Sequence, residues 1–286
     1  MSTPVLRSTV LTCAAMLAFA ANSILCRMAL ERPLIDAVSF TSIRIIAGAI
    51  CLVALMLLRN RKWQPSRPHW PSVICLFGYM AFFSLAYRSL SAGSGALLLF
   101  GSVQLTMLIV AISRGERLSR FAWLGLALAI GGMAYLMLPR AAAPAPYYSA
   151  LMIISGMCWG LYSLLGKRAD YPTSATASNF LYAVPLAILF SLAGLPHISI
   201  SAEGVWLAVM SGALTSGLGY ALWYQALRDI KATTAAVVQL SVPAITAIGG
   251  IIFLSETLSV HVALAITVTI GGIALVITQN APRSPS

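Results

Sequence analysis

Charged residues are scarce in this chain. They make up only 9% of its 286 residues, while 59% are hydrophobic; in a typical soluble domain about a quarter of the residues are charged. A water-soluble globule of this composition would lack the polar residues needed to cover its surface. A lipid bilayer removes that difficulty, because side chains that face lipid must themselves be apolar. The composition therefore predicts an integral membrane protein whose main partner is the lipid bilayer.

Acidic residues are the scarcer of the two charge types. The chain has seven Asp and Glu against 18 Lys and Arg, a net charge of +11. The basic residues lie in short segments between apolar runs, which is typical of cytoplasmic loops and not of the continuous basic surface that binds nucleic acid. Every acid is predicted in a loop or at a helix end. Because ion-coupled carriers usually keep an ionisable group within the membrane, we expect no carboxylate-based coupling site.

Motifs for metal binding and catalysis are also missing. The five cysteines all lie in apolar runs without a CxxC pair, so we expect no disulfide, no metal site and no cofactor. There is no HExxH motif, no pair of acids within the membrane and no Ser/His/Asp set at one depth of the membrane. These absences argue against an intramembrane enzyme, so no catalytic residue is predicted. A receptor or a channel remains as an alternative.

Apolar runs of the roughly 20 residues needed to cross a bilayer are abundant. Ten spans are predicted, at Ser8–Leu25, Ala37–Leu58, Ser72–Leu90, Gly93–Ile112, Phe121–Leu138, Tyr148–Gly166, Ala175–Ala193, Gly204–Leu227, Ala232–Leu254 and Val260–Thr278. The predicted fold class is an all-α integral membrane protein. The first run also resembles a signal peptide, with Arg7 before it and Ala18-Phe19-Ala20 within it. We favour an uncleaved helix because this run has a counterpart later in the chain.

That counterpart belongs to an internal repeat with a constant offset of 140 residues. Asn22–Arg27 falls on Tyr162–Lys167, and Glu116–Gly132 falls on Glu256–Gly272. The repeat divides the chain into five helices in residues 1–140 and five in residues 141–286. Because five is odd, the second repeat must cross the membrane in the opposite sense. Such inverted repeats are typical of transporters that bind substrate in a central cavity near the midplane.

The distribution of basic residues sets the orientation. With the N-terminus inside, the inner segments carry thirteen Lys and Arg and the outer loops carry four, Arg27 among them; Arg44 lies within a helix. Because cytoplasmic loops collect Lys and Arg, both termini are predicted to face the cytoplasm, with the protein in the inner membrane of the cell. We expect a functional monomer, since ten helices can enclose a cavity.

Several motifs resemble one known family. The repeated Glu-x-Leu-Ser followed by a helix with Gly-Gly, at Glu116–Gly132 and Glu256–Gly272, resembles the EamA-type carriers of the drug/metabolite transporter superfamily. The other residues that fit this family are Arg44, Trp159-Gly160, Lys167, Tyr224-x-x-Leu227 and Pro243. The resemblance covers nearly the whole chain. Val103 replaces a proline often found on helix 4, and Phe19-Ala20 replaces an expected Trp-Gly.

The resemblance implies export of amino acids or other metabolites, and the aromatic side chains within the spans favour aromatic or large apolar amino acids. The inverted repeat indicates alternating access, and the scarcity of acids indicates a facilitator or exchanger. Nucleotide-sugar or sugar-phosphate transport is an alternative that would need several basic cavity residues for phosphate. Multidrug transport is another, and it would need an acid within the membrane.

Uncharged side chains within the spans are the candidates to bind a small-molecule substrate. The predicted cavity residues are Asn22, Ser23, Tyr79, Phe83, Gln104, Trp159, Tyr162, Ser163, Tyr220 and Gln239. Aromatic rings with a few amides and hydroxyls suit an apolar organic solute with polar ends. The alternative is that the aromatics pack or lie at the membrane interface and that the amides bind another helix.

The Arg44 side chain has two interpretations. It either extends to the membrane surface, which we prefer, or faces the cavity and contacts an anionic group.

Glycines and prolines predict where helices pack closely or bend. Gly156-x-x-x-Gly160 predicts a close approach between helices. Pro185 and Pro243 predict weakened helices, and Thr215–Gly219 predicts another soft point.

Overall fold

The apolar runs form helices. The computed structural model describes residues 3–115, 119–138, 144–166, 169–195, 198–226 and 238–279, with side chains from Arg7 onward. Its helices are α1 Thr3–Glu31, α2 Ala37–Arg59, α3 Trp70–Ala86, α4 Ala92–Ser113, α5 Arg120–Leu136, α6 Pro146–Gly166, α7 Pro172–Gly194, α8 Ala202–Ala226, α9 Ser241–Leu254 and α10 Val260–Gln279. Over these ranges there is no β-strand, only an isolated bridge between Ile35 and Ile200. The predicted all-α class is confirmed.

Most of these helices have the length and composition of membrane spans. Within the described ranges, seven are long and apolar enough to cross a bilayer, and α3, α5 and α9 are shorter apolar helices of 17, 17 and 14 residues. The predicted ninth span, Ala232–Leu254, begins outside the described residues. The chain is therefore a multi-pass membrane protein, and its described helices are consistent with ten spans.

Several helix ends differ from the prediction, among them the ends of α1 and α3. α1 continues to Glu31 instead of ending at Leu25, and Arg27 and Glu31 form an i,i+4 ion pair of 3.2 Å in this added turn. Arg27 therefore lies on a helix and not in an outer loop. α3 ends at Ala86 instead of Leu90. A short turn follows, and the Ser91 side chain then caps α4 by accepting a hydrogen bond from the Ser94 N–H.

Asp36 holds together two connections at one end of the bundle. Its Oδ1 accepts hydrogen bonds from the N–H groups of Val38 and Ser39 at 3.0 and 2.9 Å, so it caps α2. Its Oδ2 accepts from the Ser199 N–H in the connection between α7 and α8. Burial alone would raise the pKa of this carboxyl, but the hydrogen bonds from Ser39, Ser199 and Val38 hold the pKa below its usual value.

Small residues allow two close helix pairs. A Cβ added at Gly156 would lie 2.5 Å from the Leu99 carbonyl oxygen, and one at Gly160 would lie 3.1 Å from the Val103 carbonyl oxygen. α6 therefore packs against the backbone of α4 at these two glycines, as their spacing predicts. Likewise, a Cβ added at Gly272 on α10 would lie 2.6 Å from backbone atoms of α5.

The middle of α8 is wound as a π-helix over Ser211–Leu218. A π-helix makes i→i+5 bonds, is wider than an α-helix and is frequent at functional sites. The soft point predicted at Thr215–Gly219 falls largely within it. Gly212 brings this segment against α2, because an added Cβ there would overlap the Arg44 carbonyl oxygen.

The two prolines lie in different settings. Pro185 lies inside α7, as predicted. Pro243 lies in the first turn of α9 and not in the middle of a helix. The helix begins at Ser241, and a turn at Leu240 separates it from the helical residues 238–239. In a first turn, the N–H that proline lacks has no intrahelical partner to lose.

Candidate functional site

Aromatic rings from four helices meet in the centre of the bundle. We call Phe19, Tyr79, Phe83, Trp159 and Tyr220 the aromatic cluster; each is at most 6% exposed. The centroid of the Trp159 ring lies 4.8 Å from that of Tyr79 and 4.8 Å from that of Tyr220. Tyr79 and Phe83 share one face of α3 because they are four residues apart. The cluster thus joins α1, α3, α6 and α8.

A small cavity lies among these rings. Its lining consists of the aromatic cluster together with Asn22, Ser23, Leu99, Phe100 and Thr215. The free volume is about 10 Å³, which is room for about one water molecule. An organic substrate therefore fits only after these side chains or their helices move apart.

Asn22 links α1 to the π-helical part of α8. Its Oδ1 accepts hydrogen bonds from Ser211 Oγ at 2.7 Å and from Thr215 Oγ1 at 3.1 Å. Its Nδ2 donates to the Tyr79 hydroxyl at 3.4 Å. An amide in this apolar region needs such partners, and the π-helical winding places the two hydroxyls of α8 toward it.

Arg44 lies next to the same network. It is fully buried, so its guanidinium does not reach the membrane surface and the preferred interpretation from the sequence is wrong. Nε donates to Ser216 Oγ at 3.1 Å, and Nη2 donates to the Tyr79 hydroxyl at 3.0 Å. The guanidinium carbon lies 5.3 Å from the centroid of the Tyr79 ring and 5.0 Å from that of Phe83. Two rings that line the cavity therefore separate this charge from the free space.

The charge of Arg44 is compensated only by neutral groups among the described residues. Desolvating a guanidinium costs several kcal/mol, whereas a cation–π contact contributes about 2 kcal/mol when desolvated. Among the described residues Arg44 forms no ion pair, and its hydrogen-bond partners are the hydroxyls of Ser216 and Tyr79. A buried cation without an anion in a membrane protein commonly marks a functional position.

The structure brings six of the ten predicted cavity residues into the lining: Asn22, Ser23, Tyr79, Phe83, Trp159 and Tyr220. Tyr162 is buried beside Trp159, with ring centroids 5.6 Å apart, and donates to Thr176 at 3.3 Å. Ser163 donates to the Trp159 carbonyl oxygen of its own helix. Gln104 and Gln239 are buried outside the lining.

Other residues at the site were not predicted as substrate contacts. Leu99 and Phe100 lack a polar group that would have distinguished them from packing residues. Ser211 is one of many serines, and nothing in the sequence shows that it reaches Asn22. Glu116, Lys167 and Leu227, which carry part of the family motif, lie outside the described residues.

A second polar cluster lies at the end of the bundle that holds Asp36. Arg27 Nε donates to Glu256 Oε1 at 3.2 Å, and Arg27 Nη1 donates to the Tyr87 carbonyl oxygen at 3.2 Å. The N–H of Ala92, at the start of α4, donates to Glu256 Oε2 at 2.9 Å, so a carboxylate caps the positive end of that helix dipole. Burial raises the pKa of Glu256 more than the bonds from Ala92 and Arg27 lower it. We call Arg27, Tyr87, Ala92 and Glu256 the Glu256 cluster.

A larger groove of about 910 Å³ opens at the same end. Its lining includes Glu31, Asp36 and Arg88. Unlike the central cavity, this groove is already open and has no buried aromatic wall. Across the described residues, no group of three His, Cys, Asp or Glu side chains could hold a metal ion.

Comparison with known sequences identifies the family. The profile of the EamA-like transporter family matches this chain twice, at residues 6–138 and 147–278. The chain belongs to the EamA-like transporter family. The predicted family resemblance is confirmed, and the protein is a membrane transporter.

Relatives of this EamA-like transporter have similar lengths. An uncharacterised protein of Pseudomonas aeruginosa is 48% identical over 97% of both chains. The threonine/homoserine exporter RhtA of Escherichia coli is 29% identical over 79% of this chain and 77% of its own. The uncharacterised transporter YyaM of Bacillus subtilis is 28% identical over 71% of this chain and 72% of its own.

A solved crystal structure supports the fold of this EamA-like transporter. It superimposes with a TM-score of 0.66 at 20% sequence identity and covers 97% of this chain and 99% of the other. At that identity the likeness concerns the fold alone.

Proposed function

We propose that this transporter exports amino acids or closely related metabolites across the inner membrane of the cell. The observation that carries the proposal is the central cavity, which combines six aromatic rings with the Asn22 amide. Such a lining suits an organic solute with an apolar body and polar ends, and aromatic or large apolar amino acids fit that description. The threonine/homoserine exporter of Escherichia coli, at 29% identity, supports the amino-acid class.

The proposed architecture is two inverted five-helix repeats, residues 1–140 and 141–286, with both termini in the cytoplasm. The double match of the family profile, at 6–138 and 147–278, supports this division. Under this topology the Glu256 cluster lies at the outer face, and the central cavity lies at the interface between the repeats. A monomer is proposed to be sufficient, because ten helices of one chain can enclose a cavity.

Alternating access is the proposed mechanism. The closed cavity of about 10 Å³ requires that one side open before substrate enters. The Glu256 cluster joins α1, α4 and the segment after α9, so it holds the outer side shut. The segment whose winding we propose to change is the π-helix in α8, because π-helical turns are rare within α-helices and frequent at functional sites.

We propose a facilitator or exchanger without a carboxylate coupling site. The described acids near helix ends include Asp36, which caps α2, and Glu256, which follows α9. No acid lines the central cavity within the described part of the chain. Substrate therefore moves down its own gradient or against that of another substrate.

Uptake into proteoliposomes that contain only this protein tests the proposal. Labelled threonine, homoserine, leucine and phenylalanine are supplied with and without a pH gradient, against protein-free liposomes. We expect saturable uptake of one class without any ion gradient. Trp159→Leu should lower uptake at least tenfold by removing the central ring, whereas Trp206→Leu should leave it unchanged, since Trp206 is 63% exposed on α8.

Two results would contradict the proposal in different ways. If none of the amino acids enters under either condition, the amino-acid class is wrong and nucleotide sugars or cationic drugs become the leading substrates. If uptake occurs only with the pH gradient, the facilitator mechanism is wrong while the substrate class stands.

A further inference from the structure

The guanidinium of Arg44 has an unused donor group. Nε and Nη2 are bound to Ser216 and Tyr79, but Nη1 is buried and has no hydrogen-bond partner among the described residues. A guanidinium presents its donors as a rigid fork that matches the two oxygens of a carboxylate. The fork at Arg44 is thus half occupied, and its free half is enclosed within the protein.

The surroundings of Arg44 also leave its charge without a counter-ion. The described groups that contact the guanidinium are the Ser216 and Tyr79 hydroxyls and the rings of Tyr79 and Phe83, contributed by α3 and α8. A neutral acceptor could satisfy Nη1, but only an anion can offset the positive charge. Buried charges in proteins are normally paired, so the missing partner points to a ligand that supplies the anion.

The position of Arg44 joins this charge to the cavity. Tyr79 accepts from Arg44 through its hydroxyl and lines the cavity with its ring, and Phe83 packs on the guanidinium and lines the cavity too. Ser216, which binds Nε, is next to the lining residue Thr215. Opening of the cavity between α3 and α8 therefore exposes the guanidinium to whatever enters.

We infer that Arg44 binds the carboxylate of the transported solute, which rests on the proposed transport through the central cavity. On opening, the carboxylate occupies the Nη1–Nη2 edge and takes the place of the Tyr79 hydroxyl. The apolar part of the solute then lies among Phe19, Trp159 and Tyr220. The carboxylate group brings one negative charge to the one cation, whereas a doubly charged phosphate would bring a second charge that Arg44 alone does not pair.

Binding of matched acids and amides tests this inference. Each amino acid is compared with its carboxamide, as in leucine and leucinamide, and each simple carboxylate with its amide, as in 3-phenylpropionate and 3-phenylpropionamide. Binding to the purified protein is measured by thermal stabilisation, independently of transport. We expect the wild-type protein to bind the acid of a pair at least tenfold more tightly, because only the acid supplies a charge-assisted pair of bonds.

Substitutions at Arg44 assign the preference to this side chain. Arg44→Gln removes the charge, and the acid and the amide should then bind within about twofold of each other. Arg44→Lys keeps the charge without the fork, so it should bind acids more weakly than the wild type but still prefer them to amides. Arg59→Gln is the matched control, since Arg59 is an exposed arginine on the same helix; its preference should equal that of the wild type.

The outcomes separate this inference from the transport proposal. Equal binding of acids and amides by the wild type overturns the role of Arg44, even if amino acids are transported. Preference for acids that persists in Arg44→Gln also overturns it. Preference for simple carboxylates that is lost in Arg44→Gln supports Arg44 even if no amino acid is taken up, in which case only the amino-acid class fails. Binding confined to phosphorylated compounds overturns the carboxylate assignment.

Discussion

Arg27 Nε lies 3.2 Å from Glu256 Oε1, although 229 residues separate them in the chain. This pair connects the last turns of α1 to the segment between α9 and α10, and both side chains are largely buried, at 12% and 15% exposed. The same carboxylate accepts the first N–H of α4. A single acid therefore holds three parts of the bundle together at the end where we propose the outer gate.

Substitution of Glu256 should remove a pH-dependent component of stability. Burial raises the pKa of this carboxyl above its ordinary value of 4.5, so the folded, closed protein binds a proton more readily than a form in which Glu256 is in water. The resulting stabilisation is complete below 4.5 and is lost as pH rises through the raised pKa. In thermal unfolding scans, the midpoint of the wild type should fall with rising pH in this window relative to Glu256→Gln.

Glu203→Gln is the control for that experiment, because Glu203 is an exposed acid in the first turn of α8. Its pH profile should follow the wild type. Parallel profiles for the wild type and Glu256→Gln across the window would show that Glu256 is not the titrating group. The Asp36 carboxyl acts in a separate window, since its pKa is lowered and its stabilisation is lost only as pH falls below 3.8.

Removal of Arg27 should destabilise the closed protein. Arg27→Met leaves the Glu256 carboxylate buried with only the Ala92 N–H as a strong partner, which costs about 1–3 kcal/mol. The midpoint temperature of unfolding should fall. The rate at which proteoliposomes exchange substrate should rise, because the outer gate opens more easily. Arg32→Gln, at an exposed position beyond the end of α1, should change neither. Full stability of Arg27→Met would contradict a structural role for the pair.

The second glycine of each Gly-Gly motif should tolerate substitution by alanine less well than the first. A Cβ at Gly272 would lie 2.6 Å from backbone atoms of α5, and one at Gly132 would lie 2.8 Å from the Thr269 N, whereas Gly131 and Gly271 have open space. Gly272→Ala should therefore cost about 1–3 kcal/mol by forcing the helices apart. Gly271→Ala should be neutral or should stabilise by about 0.5–1 kcal/mol, because alanine favours the helix. Denaturation of both variants in the same detergent compares them directly, and equal stability would refute the close packing.

The bond between Asn22 and Ser211 should be measurable as a coupling. Asn22→Leu and Ser211→Ala each remove one partner, and a double-mutant cycle isolates their interaction. We expect a coupling of about 1 kcal/mol, since hydrogen bonds between membrane helices contribute about 0.6 and at most about 1.7 kcal/mol. The control cycle combines Asn22→Leu with Ser241→Ala, because the Ser241 hydroxyl donates to the nearby Val238 carbonyl oxygen and not to Asn22. A coupling near zero in the first cycle would mean that the 2.7 Å contact contributes nothing.

The helices could be predicted from the sequence because bilayer thickness imposes the length of each apolar run. The errors lie where a helix leaves the apolar region. α1 continues past Leu25 since Arg27 finds partners in Glu31 and Glu256, and the latter is 229 residues away in the chain. Local hydropathy contains no information about such a partner. Hydropathy likewise extends α3 to Leu90, although the helix ends at Ala86 and the Ser91 side chain caps the next helix.

The candidate site was predicted in part for a similar reason. Tyr79 and Phe83 could be found because an i,i+4 pair of aromatics shares one face, and Trp159 because of the family motif. The position of Arg44 depends on which face of α2 meets α8, and the sequence of α2 does not determine that. Gln104 and Gln239 attracted attention by polarity alone, although polarity does not show whether a buried amide faces a cavity or a neighbouring helix.

The π-helical winding of Ser211–Leu218 has a geometric consequence for the rest of α8. Compared with an α-helix, it places additional residues in each turn. Each residue of an α-helix accounts for about 100° of rotation and 1.5 Å of rise. If the π-helical segment rewound as an α-helix and lost its one extra residue per turn, Gly219–Ala226 would rotate about the helix axis by that angle. Tyr220 and Trp223 would be carried out of register with Phe19, whose ring centroid now lies 6.0 and 5.9 Å from theirs. A rewinding of one residue within a single helix would thus move Tyr220, which lines the proposed binding cavity, while α8 itself stays continuous.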